Sequence, residues 1–407
     1  MVQVAIIGAG LGGLALAQGL ARQGIGFTVY ERDAAPDSRT QGYRIRIDET
    51  GQQALARCLS PAHLALFRET CAVSSSGGRF LTPRLEPAAG AGVETWRPSA
   101  QNADDADAPG DLSAHRLTLR EVLLCGIEDR VRFGQAFADY AVDESGQIIA
   151  RFEDGDHVLA DVVVAADGVG SAVRRQRLPR RAPTETGALC IYGRTPRGRE
   201  TDRGIAPVLL GGTSVVFADA CAVIIDAMSF RQSPRDCARR YAPDWHLSPV
   251  DDYLYWAFIG PGDRFGIAPD TLPALDGAGL LARIGTWTQD WHPGLRALFH
   301  AADPAAPAAL PIRTAAPLTP WSPSRVTLLG DAVHVMSPAG GLGANTALAD
   351  AAMLADALGA VARRQTPLAE AIAAYEDDMR RRATAAVQAS LAGAGRLFAH
   401  RDPAAAE

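Results

Sequence analysis

The sequence predicts an α/β fold in which a mostly antiparallel β-sheet is inserted into a domain built from βαβ units. The chain opens with an apolar run, a glycine-rich turn and a helical stretch, and runs typical of antiparallel strands follow at about 189–261. The βα alternation returns at 325–335. A chain of 407 residues with 47% hydrophobic side chains is long enough for two such domains.

Composition excludes several classes of protein. The net charge of −6 is spread along the chain without a basic stripe, so we expect no nucleic-acid partner. Six cysteines without a CxxC pair indicate neither a metal site nor a disulfide framework, and they favour a reducing compartment. No apolar run approaches the ~18 residues of a spanning helix, and the first predicted strand starts too close to Met1 for a signal peptide. We therefore expect a soluble, cytoplasmic protein with no stable membrane span.

The N-terminal elements form a predicted βαβ unit. Residues 2–7 (VQVAII) are apolar, as in a buried parallel strand, and residues 27–31 (FTVYE) form the next strand. Between these strands lie a glycine-rich turn at 8–13 and a helix predicted at 14–23.

The turn matches a dinucleotide-binding fingerprint. Gly8 permits a tight turn, Gly10 lets the backbone approach a pyrophosphate, and Gly13 lets the helix pack closely on the strand. The helix N-terminus attracts the anion, and Glu31 stands where a carboxylate accepts hydrogen bonds from a ribose diol. The pattern does not choose between FAD and NAD, and an ordinary βα turn is the alternative. The residues assigned to this site are Gly8, Gly10, Gly12, Gly13, Glu31 and Arg32.

The rest of the chain suggests a discontinuous first domain. Residues 82–110 are rich in Pro, Ala, Gly and Asp and lack periodicity, which predicts a long surface excursion. The predicted first domain comprises residues 1–178 and 296–407, with C-terminal helices at about 345–397, and the inserted domain comprises residues 179–295, with 72–112 as a candidate addition.

The stretch at 328–358 (LLGDAVHVMSPAGGLGANTALADAAMLADAL) decides between the cofactors. Here the chain resembles the FAD-dependent monooxygenases of the aromatic-hydroxylase type, the group A flavoproteins that include para-hydroxybenzoate hydroxylase. The resemblance implies a FAD-binding Rossmann-like domain of the glutathione-reductase type, an inserted substrate domain and C-terminal helices. The matching motifs span nearly the whole chain: the turn at 8–13, Arg116 with LTLREVLL at 117–124, Asp167-Gly168, and Gly330-Asp331 with Pro338 to Asn345.

The chemistry of these residues suits a flavin. Asp331 would repel a bare pyrophosphate but can accept a hydrogen bond from a ribityl hydroxyl. Gly340, Gly341 and Gly343 leave backbone amides uncovered at a helix N-terminus, where the positive end of the helix dipole stabilises negative charge on a reduced flavin. Pro338 would present a flat apolar edge to the isoalloxazine ring. A plain helix-capping loop is the alternative.

Further residues are assigned by the same resemblance. Asp167 helps to hold the cofactor, while Gly168 adopts a conformation closed to larger residues. A simple Asp-Gly turn is the alternative for this pair. Arg116 and Arg120 lie at helical spacing and are expected to contact the flavin dinucleotide or the rim of the active site, and Arg174 is a candidate phosphate partner.

Other side chains have two interpretations. Arg44 and Arg46 alternate with isoleucines, so on a strand both face one side, which is either solvent or the flavin edge. His334 is expected to be packed or bonded to backbone rather than catalytic. Five large side chains either line a substrate cavity or fill a core: Tyr192, Phe217, Met228, Trp256 and Phe258.

The resemblance implies an NAD(P)H- and O2-dependent monooxygenase that carries noncovalent FAD. It would hydroxylate or epoxidise an aromatic or polycyclic small molecule through a flavin C4a-hydroperoxide, in natural-product biosynthesis or aromatic catabolism. No metal is implied. Positioning at the flavin edge is assigned to Pro338, Gly341, Leu342 and Arg46, and the remaining cofactor residues are Arg116, Arg120, Asp167, Gly330, Asp331, Gly343, Ala344 and Asn345.

Three alternatives were weighed against this function. The first alternative, a flavin-dependent oxidase or reductase of the same fold without oxygen transfer, is not excluded by the sequence. Product analysis distinguishes it from a monooxygenase. A halogenase is disfavoured because residues 256–261 (WAFIGP) do not match its WxWxIP pattern. A non-enzymatic FAD-binding protein is disfavoured because the inserted sheet and the flavin-edge loop together supply a reaction chamber. The sequence names neither the substrate nor the oligomeric state, and it does not choose NADH over NADPH.

Overall fold

The computed structural model describes residues 2–38, 42–73, 78–88, 110–267, 272 and 275–399. The strands are β1 (Gln3–Ile7), β2 (Gly26–Glu31), β3 (Arg44–Ile47), β4 (Arg79–Leu81), β5 (Leu112–His115), β6 (Val131–Phe133), β7 (Phe137–Val142), β8 (Ile148–Phe152), β9 (His157–Ala160), β10 (Val162–Ala165), β11 (Thr184–Pro196), β12 (Thr213–Ala218), β13 (Cys221–Met228), β14 (Tyr253–Pro261), β15 (Ala308–Thr314) and β16 (Val326–Leu328). The α-helices are α1 (Leu11–Arg22), α2 (Glu49–Cys58), α3 (Pro61–Glu69), α4 (Arg116–Leu124), α5 (Ala172–Arg177), α6 (Arg199–Gly204), α7 (Pro234–Tyr241), α8 (Gly277–Trp287), α9 (Pro293–His300), α10 (Asp331–His334), α11 (Gly343–Ala362) and α12 (Leu368–Ala399).

The first of two large sheets is parallel and has five strands, in the order β16-β10-β1-β2-β6. Its central strands are apolar because both faces are covered, and every residue of β10 (VVVA) is buried. The motifs at Gly8, Asp167 and Gly330 follow the carboxyl ends of β1, β10 and β16, whose last residues stand side by side. Ligands of open α/β sheets bind at this edge, so the topology gathers the three predicted motifs at one place.

A second sheet of six strands has the order β15-β11-β14-β13-β12-β4. Its strands are antiparallel except for β4, which runs parallel to β12. The edge strand β15 lies beyond the predicted boundary at residue 295, and β4 comes from the candidate segment 72–112. This sheet therefore draws on more of the chain than residues 179–295, and the division into domains stays a prediction.

Two smaller sheets complete the fold. Strands β7, β8 and β9 form an antiparallel sheet, and β3 pairs with β5. The pair β3–β5 joins the two large sheets, because Arg44 on β3 donates from Nε to Asp226 Oδ2 on β13 at 2.6 Å. From the other side, Asn345 Nδ2 at the start of α11 donates to the Arg46 carbonyl oxygen at 3.1 Å.

The predicted fold class is confirmed, with differences at the ends of elements. Helix α1 begins at Leu11 rather than at residue 14, because the glycine-rich turn is itself the N-terminus of the helix and Gly10 is its N-cap. Helices α11 and α12 occupy the predicted C-terminal region. Most of the predicted excursion, residues 89–109, lies outside the described residues.

Three further predictions concern composition. All six cysteines are free and buried. Among the residues that the structure describes, no group of three or more His, Cys, Asp or Glu side chains could hold a metal ion. None of the described helices is long and apolar enough to cross a membrane.

Candidate active site

In the first cofactor turn, residues 8–13, a side chain at either of two glycines would collide with backbone. A Cβ on Gly8, where φ is +109°, would lie 2.4 Å from the Ala166 carbonyl oxygen. A Cβ on Gly13 would lie 2.1 Å from the Gly8 carbonyl oxygen. A Cβ on Gly10, in contrast, would meet no atom of the described chain within 4 Å. Packing thus requires Gly8 and Gly13, whereas Gly10 borders the open space into which a pyrophosphate would fit.

Glu31 and Arg120 together hold the backbone of the first cofactor turn. Glu31 is 6% exposed, and its Oε2 accepts from the Ala9 amide at 2.7 Å while its Oε1 accepts from the Asp33 amide at 3.0 Å. Arg120 Nη2 lies 3.6 Å from Glu31 Oε2, and Arg120 Nε donates to the Ala9 carbonyl oxygen at 2.9 Å. Arg120 therefore lies buried beside the turn and contacts both Ala9 and Glu31.

Asp167 supports the start of a helix with one carboxylate oxygen, and its other carboxylate oxygen has no hydrogen-bond partner among the described residues. Its Oδ2 accepts from the Ala172 amide at 2.8 Å, the first amide of α5, whose N-cap is Ser171. Its Oδ1 is buried and has no hydrogen-bond partner among the described residues, and burial raises the pKa of this carboxyl group. Gly168 has φ +75°, as predicted for a position closed to larger residues. Arg174, in contrast, is buried and donates from Nη1 to the Ala332 carbonyl oxygen at 3.0 Å, which ties α5 to α10.

Asp331 and Arg116 lie between the carboxyl edge of the parallel sheet and the six-stranded sheet. The Asp331 carboxylate is exposed, and a Cβ on Gly343 would lie 3.9 Å from its Oδ1. Burial lowers the pKa of Arg116 below its usual value. The charge of Asp331, and to a smaller extent the phenols of Tyr192 and Tyr255, act in the opposite direction. Arg116 is therefore close both to a proposed cofactor ligand and to two side chains of the six-stranded sheet.

The second cofactor turn, residues 329–343, runs from β16 to α11. Residues 338–340 form a single 3-10 turn, the ring of Pro338 is exposed, and Gly341 is left-handed with φ +63°. A Cβ on Gly341 would lie 3.7 Å from Cδ and Nη1 of Arg46. Leu342 is the N-cap of α11. The structure therefore places all four residues assigned to the flavin edge in one neighbourhood.

The start of α11 offers backbone donors rather than side chains. The amides of Gly343, Ala344 and Asn345 lie in the first turn of the helix, where they have no intrahelical acceptor. The Asn345 side chain is already engaged, because Nδ2 donates to the Gly341 carbonyl oxygen at 2.9 Å and Oδ1 accepts from the Asp48 amide at 3.1 Å. Any contact of Asn345 with a cofactor would therefore use its backbone N–H group.

Alternation along the strands gives the six-stranded sheet two different faces. On the back face, Trp256 and Phe258 pack on the Phe299 ring of α9 at centroid distances of 5.6 and 5.0 Å, so these two residues fill a core. The front face belongs to another buried cluster, which also contains Ala339 of the second cofactor turn. The front-face members on the strands are Ala188, Cys190, Tyr192, Val215, Phe217, Ala222, Ile224, Met228, Tyr253, Ala257, Ile259 and Ile312.

Solved structures of known proteins share this architecture. A crystal structure assigned as a FAD containing monooxygenase from Photorhabdus luminescens is 31% identical to this chain, with a TM-score of 0.82, over 98% of this chain and 99% of the other. The chain belongs to the FAD-dependent monooxygenases. A family model described as "FAD binding domain" matches residues 1–47 and 307–390, which contain both cofactor turns.

Curated relatives of this FAD-dependent monooxygenase carry related names. The dual O-methyltransferase/FAD-dependent monooxygenase elcB of Phaeosphaeria nodorum is 32% identical over 98% of this chain. The match covers 46% of that protein, so the chain spans about half the length of this relative. A 6-hydroxynicotinate 3-monooxygenase of Pseudomonas fluorescens is 26% identical, covering 94% of this chain and 88% of the relative.

The residues at the sheet edge fit FAD. Asp167 offers a buried acceptor atom without a protein partner, and the exposed Asp331 carboxylate can accept from a ribityl hydroxyl. Gly10 leaves room for a pyrophosphate, and the first amides of α11 can donate to an anionic flavin edge. The assignment of individual residues to parts of the cofactor stays a prediction.

Sequence reasoning missed the support beneath the second cofactor turn. His334 Nε2 lies 2.5 Å from Asp350 Oδ2, both side chains are 0% exposed, and Asp350 Oδ2 also accepts from the Gly330 amide at 3.1 Å. Arg382 Nη2 closes the group at 2.8 Å from Asp350 Oδ1. The packed His334 agrees with expectation. The one available signal was the acidic Asp350 within the mostly apolar sequence of α11.

Proposed function

We propose that this monooxygenase holds FAD noncovalently across the two cofactor turns and uses NAD(P)H and O2 to hydroxylate or epoxidise an aromatic or polycyclic small molecule. The observation that carries the proposal is the position of Ala339. This residue of the second cofactor turn belongs to the same buried cluster as the front face of the six-stranded sheet. A substrate held on that face would therefore lie beside the flavin edge.

Bound FAD supplies the redox chemistry, since it accepts a hydride from NAD(P)H and activates O2 for transfer of one oxygen atom. The protein's part is to bind and orient the cofactor. Amides at the start of α11 stabilise negative charge on the flavin, and Asp331 orients the ribityl chain. Pro338 and Arg46 border the space where flavin and substrate would meet.

The front face suits a planar substrate. Ala222 and Ala257 have small side chains in the middle of the face, with Tyr192 and Phe217 on either side of them. Burial raises the pKa of Tyr192 to about 12, so its phenol stays neutral and can donate a hydrogen bond at neutral pH. Apolar walls also exclude water, which limits wasteful release of peroxide.

The names of relatives support an aromatic substrate class. One relative is named 6-hydroxynicotinate 3-monooxygenase, and another, from Mycolicibacterium vanbaalenii, is 26% identical and named FAD-dependent urate hydroxylase. Both names refer to planar, oxygenated heteroaromatic rings. We infer that a ring of this kind, or a larger fused system, occupies the front face.

The proposal is tested with the FAD-loaded protein and a set of hydroxylated mono- and polycyclic aromatics. A substrate should accelerate NAD(P)H oxidation and lower the fraction of electrons that appears as hydrogen peroxide. Under labelled dioxygen, the product should gain one labelled oxygen atom. A new oxygen atom that comes from solvent would overturn the proposal. Turnover that yields only peroxide and no oxygenated product would favour the oxidase or reductase alternative.

A further inference from the structure

Helix α12 supports one continuous stretch of chain, β16 together with the second cofactor turn, through four buried or half-buried polar side chains. Tyr375, Glu376 and Ser390 contact that stretch directly, and Arg382 acts on it through Asp350 of α11. We propose that α12 positions the second cofactor turn against the flavin, and that Arg382 and Ser390 are the positioning residues. The inference rests on the proposed placement of FAD beside this turn.

The first two contacts anchor α12 to the sheet. The Tyr375 hydroxyl donates to the Leu328 carbonyl oxygen at 2.9 Å, and Thr327 Oγ1 donates to Glu376 Oε1 at 2.9 Å. Both contacts are buried and both lie on β16, immediately before the turn. The helix is thus fixed relative to the strand from which the turn departs.

The third contact acts on Gly330 through Asp350 of α11. Arg382 donates to Oδ1 of Asp350, whose Oδ2 accepts from the Gly330 amide and faces His334. Gly330 has φ +62° and ψ −147°, a conformation that essentially only glycine adopts, and its amide is held by Asp350. Arg382 therefore fixes the orientation of the carboxylate that holds the backbone just before Asp331.

The fourth contact reaches the flavin-edge end of the turn. Ser390 Oγ donates to the Ser337 carbonyl oxygen at 2.7 Å, and the Ser390 side chain is completely buried. Ser337 Oγ in turn accepts from the Ala339 amide at 3.3 Å. The Ser390 Cα also lies 3.7 Å from the position that a Cβ on Gly340 would take. Ser390 thus holds the turn at the residues assigned to the flavin edge.

A long helix is suited to this task. Its 32 residues span about 48 Å, and Tyr375, Arg382 and Ser390 recur at intervals close to two helical turns, so they share one face. The turn itself contains only two short helical segments, at 331–334 and 338–340, and ordering it costs conformational entropy. If α12 pre-orders the turn, FAD binding does not have to supply that cost, and affinity is higher.

Three variants of the full-length protein test this inference through FAD affinity. Ser390→Ala and Arg382→Ala should each raise the Kd for FAD about tenfold, the loss of one buried hydrogen bond near the ligand. Each should also blur the vibronic shoulder in the absorption spectrum of the bound flavin, because the ring is held less uniformly. Arg382→Lys keeps a charged donor and should recover most of the affinity. Kd is measured by flavin fluorescence, without substrate or turnover, so failure of the proposed hydroxylation does not affect the result.

The control is Thr384→Ala, which removes a hydroxyl from the exposed side of the same helix and should leave both Kd and spectrum unchanged. Ser390→Ala introduces the best helix former, so it should fold even if an Arg382 variant does not. The inference is wrong if Ser390→Ala and Arg382→Ala lower the unfolding temperature of the FAD-free protein but retain wild-type Kd and spectrum. If Asp331→Ala also retains wild-type affinity, the placement of the flavin is wrong, and the inference falls with it.

Discussion

The two cofactor turns of this monooxygenase are stabilised in different ways. The first is closed by its own glycines, since a Cβ on Gly13 would lie 2.1 Å from the Gly8 carbonyl oxygen. The second depends on distant side chains, and Ser390 reaches Ser337 across 53 residues of sequence. The first turn therefore has a local closure that its glycine spacing encodes, although Glu31 and Arg120 also hold its backbone, whereas the support of the second turn lies in tertiary contacts. Substitutions that break one turn should leave the other largely intact.

The largest effect is expected from Gly13→Ala. The new Cβ would collide with the Gly8 backbone, which cannot move without displacing β1, so we expect the free energy of unfolding of the FAD-free protein to fall by about 3 kcal/mol. Denaturant unfolding measures the change. Gly10→Ala is the matched control: its Cβ faces open space, so stability should stay within about 1 kcal/mol of wild type while FAD binds more weakly. Equal destabilisation by both substitutions would contradict the steric distinction.

Asp331→Ala tests the second turn at its exposed carboxylate. Removing an acceptor from a ribityl hydroxyl should weaken FAD binding by about 1 to 3 kcal/mol, the usual range for a hydrogen bond that loses its charged partner. Because Asp331 is exposed, the FAD-free protein should lose less stability than FAD affinity, and that loss reflects the charge of Asp331 near Arg116 and His334. Titration with FAD and a melting curve separate the two effects. The control is Asp251→Ala, which removes another exposed carboxylate and should change neither FAD affinity nor the melting curve. An unaltered Kd in Asp331→Ala would show that Asp331 is not part of the FAD site.

The same contrast explains how much could be predicted from sequence. Glycine spacing and strand patterns are local, so the fold class, FAD as the cofactor and the close packing of the first turn could be predicted before any coordinates. The support from Asp350, Arg382 and Ser390 depends on how α11 and α12 pack, and no short-range pattern reports it. Strand alternation was visible, but not which face meets the flavin. Trp256 and Phe258 accordingly proved to be core residues on the back face.

His334 gives the second turn a dependence on pH. Burial lowers the pKa of His334, but the charge and hydrogen bond of Asp350, with Asp331 nearby, outweigh burial and raise it above the usual 6.5. Above pH 6.5 the unfolded chain has lost this proton while the folded chain keeps it, so the stabilisation is complete below 6.5 and is lost as pH rises through the folded-state pKa. One such proton changes the free energy of unfolding by up to about 1.4 kcal/mol per pH unit. The difference between wild type and His334→Gln, measured by denaturant unfolding at several pH values, should shrink as pH rises; a constant difference would show that His334 does not titrate in this way.

The smallest effect on FAD affinity is expected from Glu31→Gln in the first turn. Each carboxylate oxygen of Glu31 accepts from a backbone amide, of Ala9 and of Asp33, and the NH2 group of glutamine cannot accept. One hydrogen bond to the turn is lost, and the buried Arg120 loses its neighbouring negative charge, so the FAD-free protein should be less stable. FAD affinity should fall only about fivefold, in line with roughly 1 kcal/mol for a hydrogen bond. Turnover with saturating FAD should not change, because β2 is three strand spacings, or about 14 Å, from β16 and the turn that carries the flavin edge. Steady-state rates at saturating FAD measure this, with the exposed Glu153→Gln as control. A loss of saturated turnover in Glu31→Gln alone would mean that the first turn reaches the reacting end of the cofactor, and the separation between the two turns would be wrong.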